Sequence, residues 1–132
     1  MSAGEKLERL LDLIKTLRGP DGCPWHRAQT LETTEKDMLG EVEELKEALA
    51  GGDYEHIKEE LGDVIWTLAI ISEMAGEKGG FTIEDVLGGM NEKMVRRHPH
   101  VFGGAKKAET VEEALDIFYE AKAAEKKAKA RQ

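Results

Sequence analysis

Two acidic motifs with the same spacing are the residues of this sequence best suited to chemistry. Glu41 and Glu44 stand at positions i and i+3, and Glu60 and Asp63 repeat that arrangement further along the chain. On an α-helix each pair lies beside an apolar stripe, at the same angular offset and on the same side. Two packed antiparallel helices would therefore bring all four carboxylates to one surface.

The connection between the two acidic segments determines their direction and their level. Gly51, Gly52 and Asp53 form a short break, which requires an antiparallel hairpin if the flanking helices pack together. The acidic pairs lie at equal distances from this break, about 14 Å along either helix at a rise of about 1.5 Å per residue. We therefore expect the four carboxylates to meet at one level of the hairpin.

Four carboxylates in close proximity repel one another, so either some of them hold protons or a cation neutralises them. A ligand set made only of oxygen atoms favours Mg²⁺ or Mn²⁺ over zinc. Most acidic pairs of this spacing are solvated residues of a helix surface, and that alternative stays open. The match in offset, side and level favours a metal site made by Glu41, Glu44, Glu60 and Asp63.

A basic segment later in the chain supplies a positive counterpart. Lys93 and Arg97 stand four residues apart on one predicted helical face, where they could clamp an anionic group. Enzymes that act on phosphoryl groups commonly combine Mg²⁺ bound by carboxylates with nearby Lys and Arg side chains. The alternative is a basic helix end that interacts with the helix dipole. For Trp25, a core or interface anchor is favoured over a platform on which a base stacks.

Composition limits the class of protein. The chain has 132 residues, a length that fits one domain. Its net charge of −8 argues against a nucleic-acid partner, because such proteins usually present a basic surface to the phosphates. No apolar run reaches the roughly 18–20 residues of a membrane span, and the first residues lack a signal-peptide core. Cys23 is the one cysteine, so the chain can form no internal disulfide. We therefore expect a protein of the reducing cytoplasm with no membrane partner.

Apolar residues recur at helical spacing along the chain, and no segment is typical of a strand. The sequence predicts an all-α fold, an antiparallel bundle of four to five helices over residues 1–125, with a charged tail at residues 126–132. The residues from Ala121 onward are expected to fray, and those from Cys23 to Thr30 to form a loop. The predicted helices run from Ser2 to Arg18, from residues 30–34 to Ala50, from Tyr54 to residues 74–75, from Thr82 to Arg97, and from Thr110 onward.

One segment of the predicted hairpin is too apolar for a small monomer. Residues Val64 to Ile71 are apolar on nearly every face of their predicted helix. A helix of this kind is buried on several sides, which is more cover than a chain of this length easily supplies. We therefore expect a homo-oligomer that uses this helix.

Four segments of the sequence resemble motifs of the MazG nucleoside triphosphate pyrophosphohydrolases and occur in the same order as in that family. The likeness covers about residues 5–125 and rests on Cys23-Pro-Trp-His with Gln29-Thr30, on Gly40 to Glu44, on Glu59 to Val64, and on Lys93 to Phe102. The resemblance implies an all-α dimer or tetramer that uses Mg²⁺ or Mn²⁺. It also implies hydrolysis of a nucleoside triphosphate, including deoxy or non-standard ones, to monophosphate and pyrophosphate.

The resemblance also assigns roles to particular residues. It implies that the four carboxylates are the metal ligands, that Lys93 and Arg97 contact phosphates, and that Trp25 and Gln29 belong to the nucleotide pocket. Either Glu44 or Glu41 would accept the proton of the attacking water, and the sequence does not choose between them.

Two positions depart from the family pattern. Gly40 stands where the pattern has a glutamate, which leaves the number of bound ions open, and His26 stands where an aspartate is usual. The alternative function is a non-catalytic helical oligomer that binds nucleotide or a protein partner and uses the acidic cluster as a structural cation site.

Overall fold

The computed structural model describes residues 1–131, which form helices and no strand. The predicted all-α class is confirmed. The helices are α1 (Ala3–Arg18), α2 (Pro24–Ala28), α3 (Leu31–Gly51), α4 (Tyr54–Glu77), α5 (Ile83–Arg97), α6 (Pro99–Phe102) and α7 (Val111–Ala130).

Two short helices raise the number of helices in the described residues above the predicted four to five. The first of them, α2, lies where a loop was expected, so that prediction is wrong. Both α2 and α6 begin with a proline at the first helical position. A proline there loses no hydrogen bond, and its fixed φ angle suits a helix start, so it initiates a helical turn rather than an extended one.

Local capping sets the ends of the long helices. The side chain of Ser2 accepts a hydrogen bond from the Glu5 amide and begins α1 as predicted. Thr30 caps α3 in the same way through the Thr33 amide, and Asp53 caps α4. Such side chains satisfy amide groups that have no partner inside the helix. The start of α4 and both ends of α1 are confirmed, and α3 and α4 extend slightly beyond their predicted ends.

The hairpin of α3 and α4 is the frame of the first half of the chain. Gly52 adopts a left-handed φ of 74°, which ends α3, and Asp53 begins the next helix at once. Because α3 packs against α4 across so short a connection, the two helices are antiparallel, as predicted. Helix α1 packs on α4, and Leu11 and Ile14 form a buried core with Ala69, Ile70 and Met74.

The apolar stripes of this hairpin are only half covered. Val42 and Leu49 of α3 are exposed, and so are Leu61 and Leu68 of α4, each by 45% or more of its surface. Met38, Leu45, Ile57 and Val64, which complete the stripes, are half-buried. A band of large apolar side chains therefore faces away from the core described above.

The chain divides into two compact units, residues 1–83 and the residues from Glu84 onward. In the second unit the Arg96 Nε–H and the Arg97 Nη2–H donate to the Glu125 carboxylate at 2.6 and 2.8 Å. The residues expected to fray after Ala121 instead continue α7 through Ala130, so that expectation is wrong for the described residues. The domain boundary at residue 125 stays a prediction, and Gln132 lies outside the described residues.

None of the helices within residues 1–131 is both long and apolar enough to cross a membrane.

Candidate metal centre and adjoining cavity

The four carboxylates picked out by their spacing lie together. Glu41 and Glu44 of α3 and Glu60 and Asp63 of α4 each offer one oxygen, and these four oxygens lie within 4.8 Å of one another. The predicted convergence on one surface and at one level is therefore confirmed. Their role as metal ligands stays a prediction.

Two of the acids are partly withdrawn from water. The Oε2 atoms of Glu41 and Glu60 are buried and accept no hydrogen bond within residues 1–131. Burial raises the pKa of each carboxyl group, and the negative charge of Glu44 raises both further. Close like charges and unpaired buried oxygens make the ionised cluster unfavourable by itself.

A divalent cation fits the chemistry of this cluster. It would pair with the buried oxygens and offset the repulsion that raises the pKa values of Glu41 and Glu60. The donors are all carboxylate oxygens, which suit hard cations such as Mg²⁺ and Mn²⁺. The residues present therefore fit the metal that the sequence predicts.

Some residues near the four carboxylates contact the cluster, and others point into solvent. The Nε2 atom of His56 lies 3.5 Å from the Glu60 Oε1 atom, and a positive charge on this ring opposes the rise in the pKa of Glu60. Glu43 and Glu59 are exposed and lie outside the cluster. A Cβ atom added at Gly40 would meet open space, so packing does not require the glycine found there.

A cavity of about 310 Å³ adjoins the carboxylates and shares Glu41 with them. Two tryptophans and a histidine give it aromatic walls, with the His26 ring 4.6 Å from that of Trp25 and 6.1 Å from that of Trp66. Flat aromatic surfaces of this kind suit a planar heterocycle. The lining residues are Trp25, His26, Gln29, Thr34, Asp37, Glu41, Trp66, Thr67 and Ile70.

The structure places both predicted pocket residues at this cavity. Trp25 is 61% exposed, so it is no core anchor within the described residues. The expectation of a core anchor is therefore wrong, and that of an interface anchor stays a prediction. Gln29 is held in place by its neighbours, since its Nε2–H donates to the Trp25 carbonyl at 3.3 Å and its Oε1 accepts from the Thr33 hydroxyl at 2.9 Å. Gln29 therefore lines the cavity and also stabilises its wall through these two hydrogen bonds.

Sequence reasoning missed several lining residues, although a signal for them was present. Asp37 stands one helical turn before Glu41, and Trp66 and Thr67 stand one turn after Asp63. These residues therefore continue the faces that carry the carboxylates. Trp66 was overlooked because it lies within an apolar run, where a core role is the ordinary expectation.

The predicted phosphate contacts belong to the second unit. Lys93 is half-buried. The ion pairs that the described residues of this unit form involve Arg96, Arg97 and Glu125, and not Lys93. Arg97 is 14% exposed, pairs with Glu125, and lies with its guanidinium carbon 5.4 Å from the centre of the Phe118 ring. Glu125 was not anticipated as a partner, and the two phosphate-binding roles stay predictions.

Comparison with known proteins points to one family. A family model described as the MazG nucleotide pyrophosphohydrolase domain matches residues 29–102. A Thermotoga maritima protein named nucleoside triphosphate pyrophosphohydrolase/pyrophosphatase MazG is 46% identical over 101 residues, which are 76% of this chain and 40% of that protein. The Escherichia coli K12 nucleoside triphosphate pyrophosphohydrolase is 36% identical over 126 residues, 95% of this chain and 48% of that protein.

A solved structure shares the fold. The crystal structure of a mazG-related protein from Thermotoga maritima superimposes with a TM-score of 0.72 at 32% identity, covering 88% of this chain and 98% of that one. The curated relatives are longer, and this chain spans less than half the length of the two described above.

Proposed function

This chain belongs to the MazG nucleotide pyrophosphohydrolase family, as its motifs predict, and from that membership we propose that it hydrolyses nucleoside triphosphates between the α and β phosphates. The products are nucleoside monophosphate and pyrophosphate. The observation that carries the proposal is the cluster of four carboxylate oxygens within 4.8 Å, beside a cavity with aromatic walls. The proposed substrates include deoxy and non-standard nucleotides.

Glu41, Glu44, Glu60 and Asp63 would hold Mg²⁺, with Mn²⁺ as a substitute. When bound, such a cation neutralises charge on phosphate oxygens and lowers the pKa of a water molecule. Glu44 or Glu41 would accept the proton of the attacking water, and the choice between them stays open.

The other proposed roles concern binding of the nucleotide. Trp25 and Gln29 would contact the nucleoside in the cavity that they line. Lys93 and Arg97 would hold the phosphate chain and stabilise the leaving pyrophosphate. For Arg97 this role requires the guanidinium to share or exchange its contact with Glu125. The support for these two basic residues is the family resemblance of their segment.

The proposal includes a homodimer or homotetramer. Its support is the row of exposed apolar side chains along one hairpin, which an identical subunit could cover. These side chains are Leu39, Val42 and Leu49 of α3 and Leu61, Ile65 and Leu68 of α4. A cytoplasmic location is also part of the proposal, and its support is the single free cysteine, Cys23.

The test is a substrate panel with product identification. The purified chain is incubated with Mg²⁺ and dATP, dCTP, dGTP, dTTP, dUTP or ATP, and the phosphorus products are resolved. Pyrophosphate with the matching monophosphate supports the proposal, whereas orthophosphate with the diphosphate contradicts the bond assignment. Cation binding without turnover of any nucleotide would favour the non-catalytic binding module instead.

A further inference from the structure

Arg18, the last residue of α1, makes contacts that join three parts of the first unit. Its side chain is only 10% exposed. The Nε–H and an Nη2–H donate to the two carboxylate oxygens of Glu77 at 2.7 and 2.9 Å. The Nη1 group donates to the main-chain carbonyls of His26 and Gln29, the latter at 3.2 Å. One guanidinium therefore connects the end of α4 to the end of α2.

The segment that Arg18 holds is short and lies at the surface, and it is also held by a side-chain bond from the Arg27 Nη1 group to the Pro20 carbonyl at 2.9 Å. Helix α2 has five residues, none of them buried, and its N-cap residue makes no side-chain capping bond. A helix of this length is unstable in isolation, so its conformation depends on tertiary contacts. The carbonyls that Arg18 engages lie at the C-terminal end of α2, where carbonyls lack partners inside the helix, and the His26 carbonyl also accepts from the Gln29 amide at 3.3 Å.

The approach of this segment to α1 is also tight. The Cys23 amide donates to the Leu17 carbonyl at 2.8 Å. A Cβ atom at Gly22 would come within 2.2 Å of that same carbonyl oxygen, so only glycine fits there. Gly22 therefore sets where the segment starts, and Arg18 sets where it ends.

The held segment carries one aromatic wall of the cavity. Trp25, His26 and Gln29 lie on it, whereas the opposing Trp66 and Ile70 belong to α4. Glu77 is part of that same helix. Because Arg18 contacts Glu77 and α2 together, it fixes the first wall relative to the helix that provides the second.

We propose that Arg18 is a positioning residue for nucleotide binding, which holds the 23–29 segment against α4 through Glu77 so that the cavity is formed before the nucleoside enters. This inference rests on the proposed function for its substrate. A cavity that is already ordered avoids the entropic cost of ordering its side chains on binding. Arg18 does not line the cavity or belong to the acidic cluster. Its effect is therefore on the affinity for the nucleoside.

The kinetic test uses Arg18→Gln, with Arg18→Lys and Glu77→Gln as milder variants and the exposed Arg9→Gln of α1 as the matched control. Loss of order in two or three side chains raises the KM for the nucleoside triphosphate by about tenfold in Arg18→Gln, with kcat within about twofold. Lysine pairs with Glu77 but lacks the planar set of donors for both carbonyls, so Arg18→Lys falls between Arg18→Gln and the unaltered chain. Inorganic tripolyphosphate has no nucleoside, so its inhibition constant is expected to be the same in every variant as in the unaltered chain.

A second measurement separates positioning from general stability. Amide hydrogen exchange of residues 23–29 accelerates in Arg18→Gln, while exchange around Ile70 and Met74 stays as in the unaltered chain. An unchanged KM, a parallel rise in the tripolyphosphate constant, or faster exchange throughout residues 1–83 would overturn the inference. If the unaltered chain hydrolyses no triphosphate, the proposed function fails, and the exchange comparison still decides whether Arg18 positions the segment.

Discussion

Glu41 of α3 and Glu60 of α4 approach each other across the hairpin, and each buries one carboxylate oxygen that accepts no hydrogen bond within residues 1–131. Burial and neighbouring negative charge raise the pKa of both groups. A chain that folds this way without a cation holds two unfavourable carboxylates side by side. Their placement is explained if a cation completes the cluster.

Neutralising Glu60 is expected to abolish catalysis without harming the fold. In Glu60→Gln one ligand oxygen and one negative charge are lost, so turnover of a nucleoside triphosphate falls by about 10²-fold or more. The melting temperature in EDTA is expected to rise, because repulsion within the cluster is relieved. Addition of Mg²⁺ is expected to stabilise this variant less than the unaltered chain.

The neighbouring Glu59 provides the control, since it is exposed and outside the cluster. Glu59→Gln removes the same charge from the next residue of the same helix and is expected to keep both turnover and the response to Mg²⁺. A folded Glu60→Gln protein with the activity of Glu59→Gln would contradict the metal-dependent mechanism.

The raised pKa values predict opposite effects of pH with and without a cation. Without it, the folded state binds protons at Glu41 and Glu60 more tightly than the unfolded chain does. Stability in EDTA is therefore expected to fall as pH rises from the ordinary value of 4.5 through the raised pKa values. With saturating Mg²⁺ this decline disappears, because the cation favours the ionised groups.

Cation binding is correspondingly expected to release protons. Calorimetric titration of Mg²⁺ in buffers of different ionisation enthalpy measures the number released. An observed heat that does not depend on the buffer near the raised pKa values would show that Glu41 and Glu60 are already ionised.

The ion pairs of Glu125 predict acid sensitivity in the second unit. Its hydrogen bonds with Arg97 and Arg96 lower the pKa of Glu125 from 4.5 to about 2. This contribution to stability is complete above pH 4.5 and is lost as pH falls towards 2. Glu125→Gln is therefore expected to unfold at a lower urea concentration than the unaltered chain at pH 7, with the difference shrinking near pH 3.

The exposed Glu120 of the same helix is the matched control for this measurement. Glu120→Gln is expected to leave the urea midpoint unchanged at both pH values. A Glu125→Gln midpoint that differs equally at pH 7 and pH 3 would contradict the role assigned to the ionised carboxylate.

Local signals predicted much of this fold and most of the acidic site. Ser2 and Thr110 cap α1 and α7 through neighbouring amides, so a short window of sequence contains the whole interaction. The four carboxylates follow from helical period and a short connection, which are also local properties. Pro24 was misinterpreted because proline favours both extended turns and helix starts, and the residues beside it do not decide between them.

Long-range pairs were out of reach of the same reasoning. Arg18 and Glu77 are 59 residues apart, and Arg97 and Glu125 are 28 apart. Neither pair produces a repeating pattern of residue types in the sequence, because a single charged residue is compatible with almost any exposed position of a helix. Their partners are known only once the helices have been placed.

The exposed apolar band predicts a change in mass when a charge is introduced. Leu68 is 50% exposed on α4, beyond the core that α1 covers. Leu68→Glu is expected to yield a species of lower mass by light scattering after size exclusion, because burying a carboxylate in an apolar interface is costly. Val111→Glu, at a position 77% exposed in the second unit, is the control and is expected to keep the mass of the unaltered chain. Equal masses for Leu68→Glu and the unaltered chain would contradict an interface on this band.

The most direct measurement is the titration of Mn²⁺ into the chain, with free Mn²⁺ followed by electron paramagnetic resonance. The unaltered chain and a Glu43→Gln, Glu59→Gln double variant are both expected to remove Mn²⁺ from solution at a defined stoichiometry. A Glu41→Gln, Glu60→Gln double variant is expected to leave the same Mn²⁺ free. Equal binding by all three proteins would contradict a cation held by the carboxylates of α3 and α4.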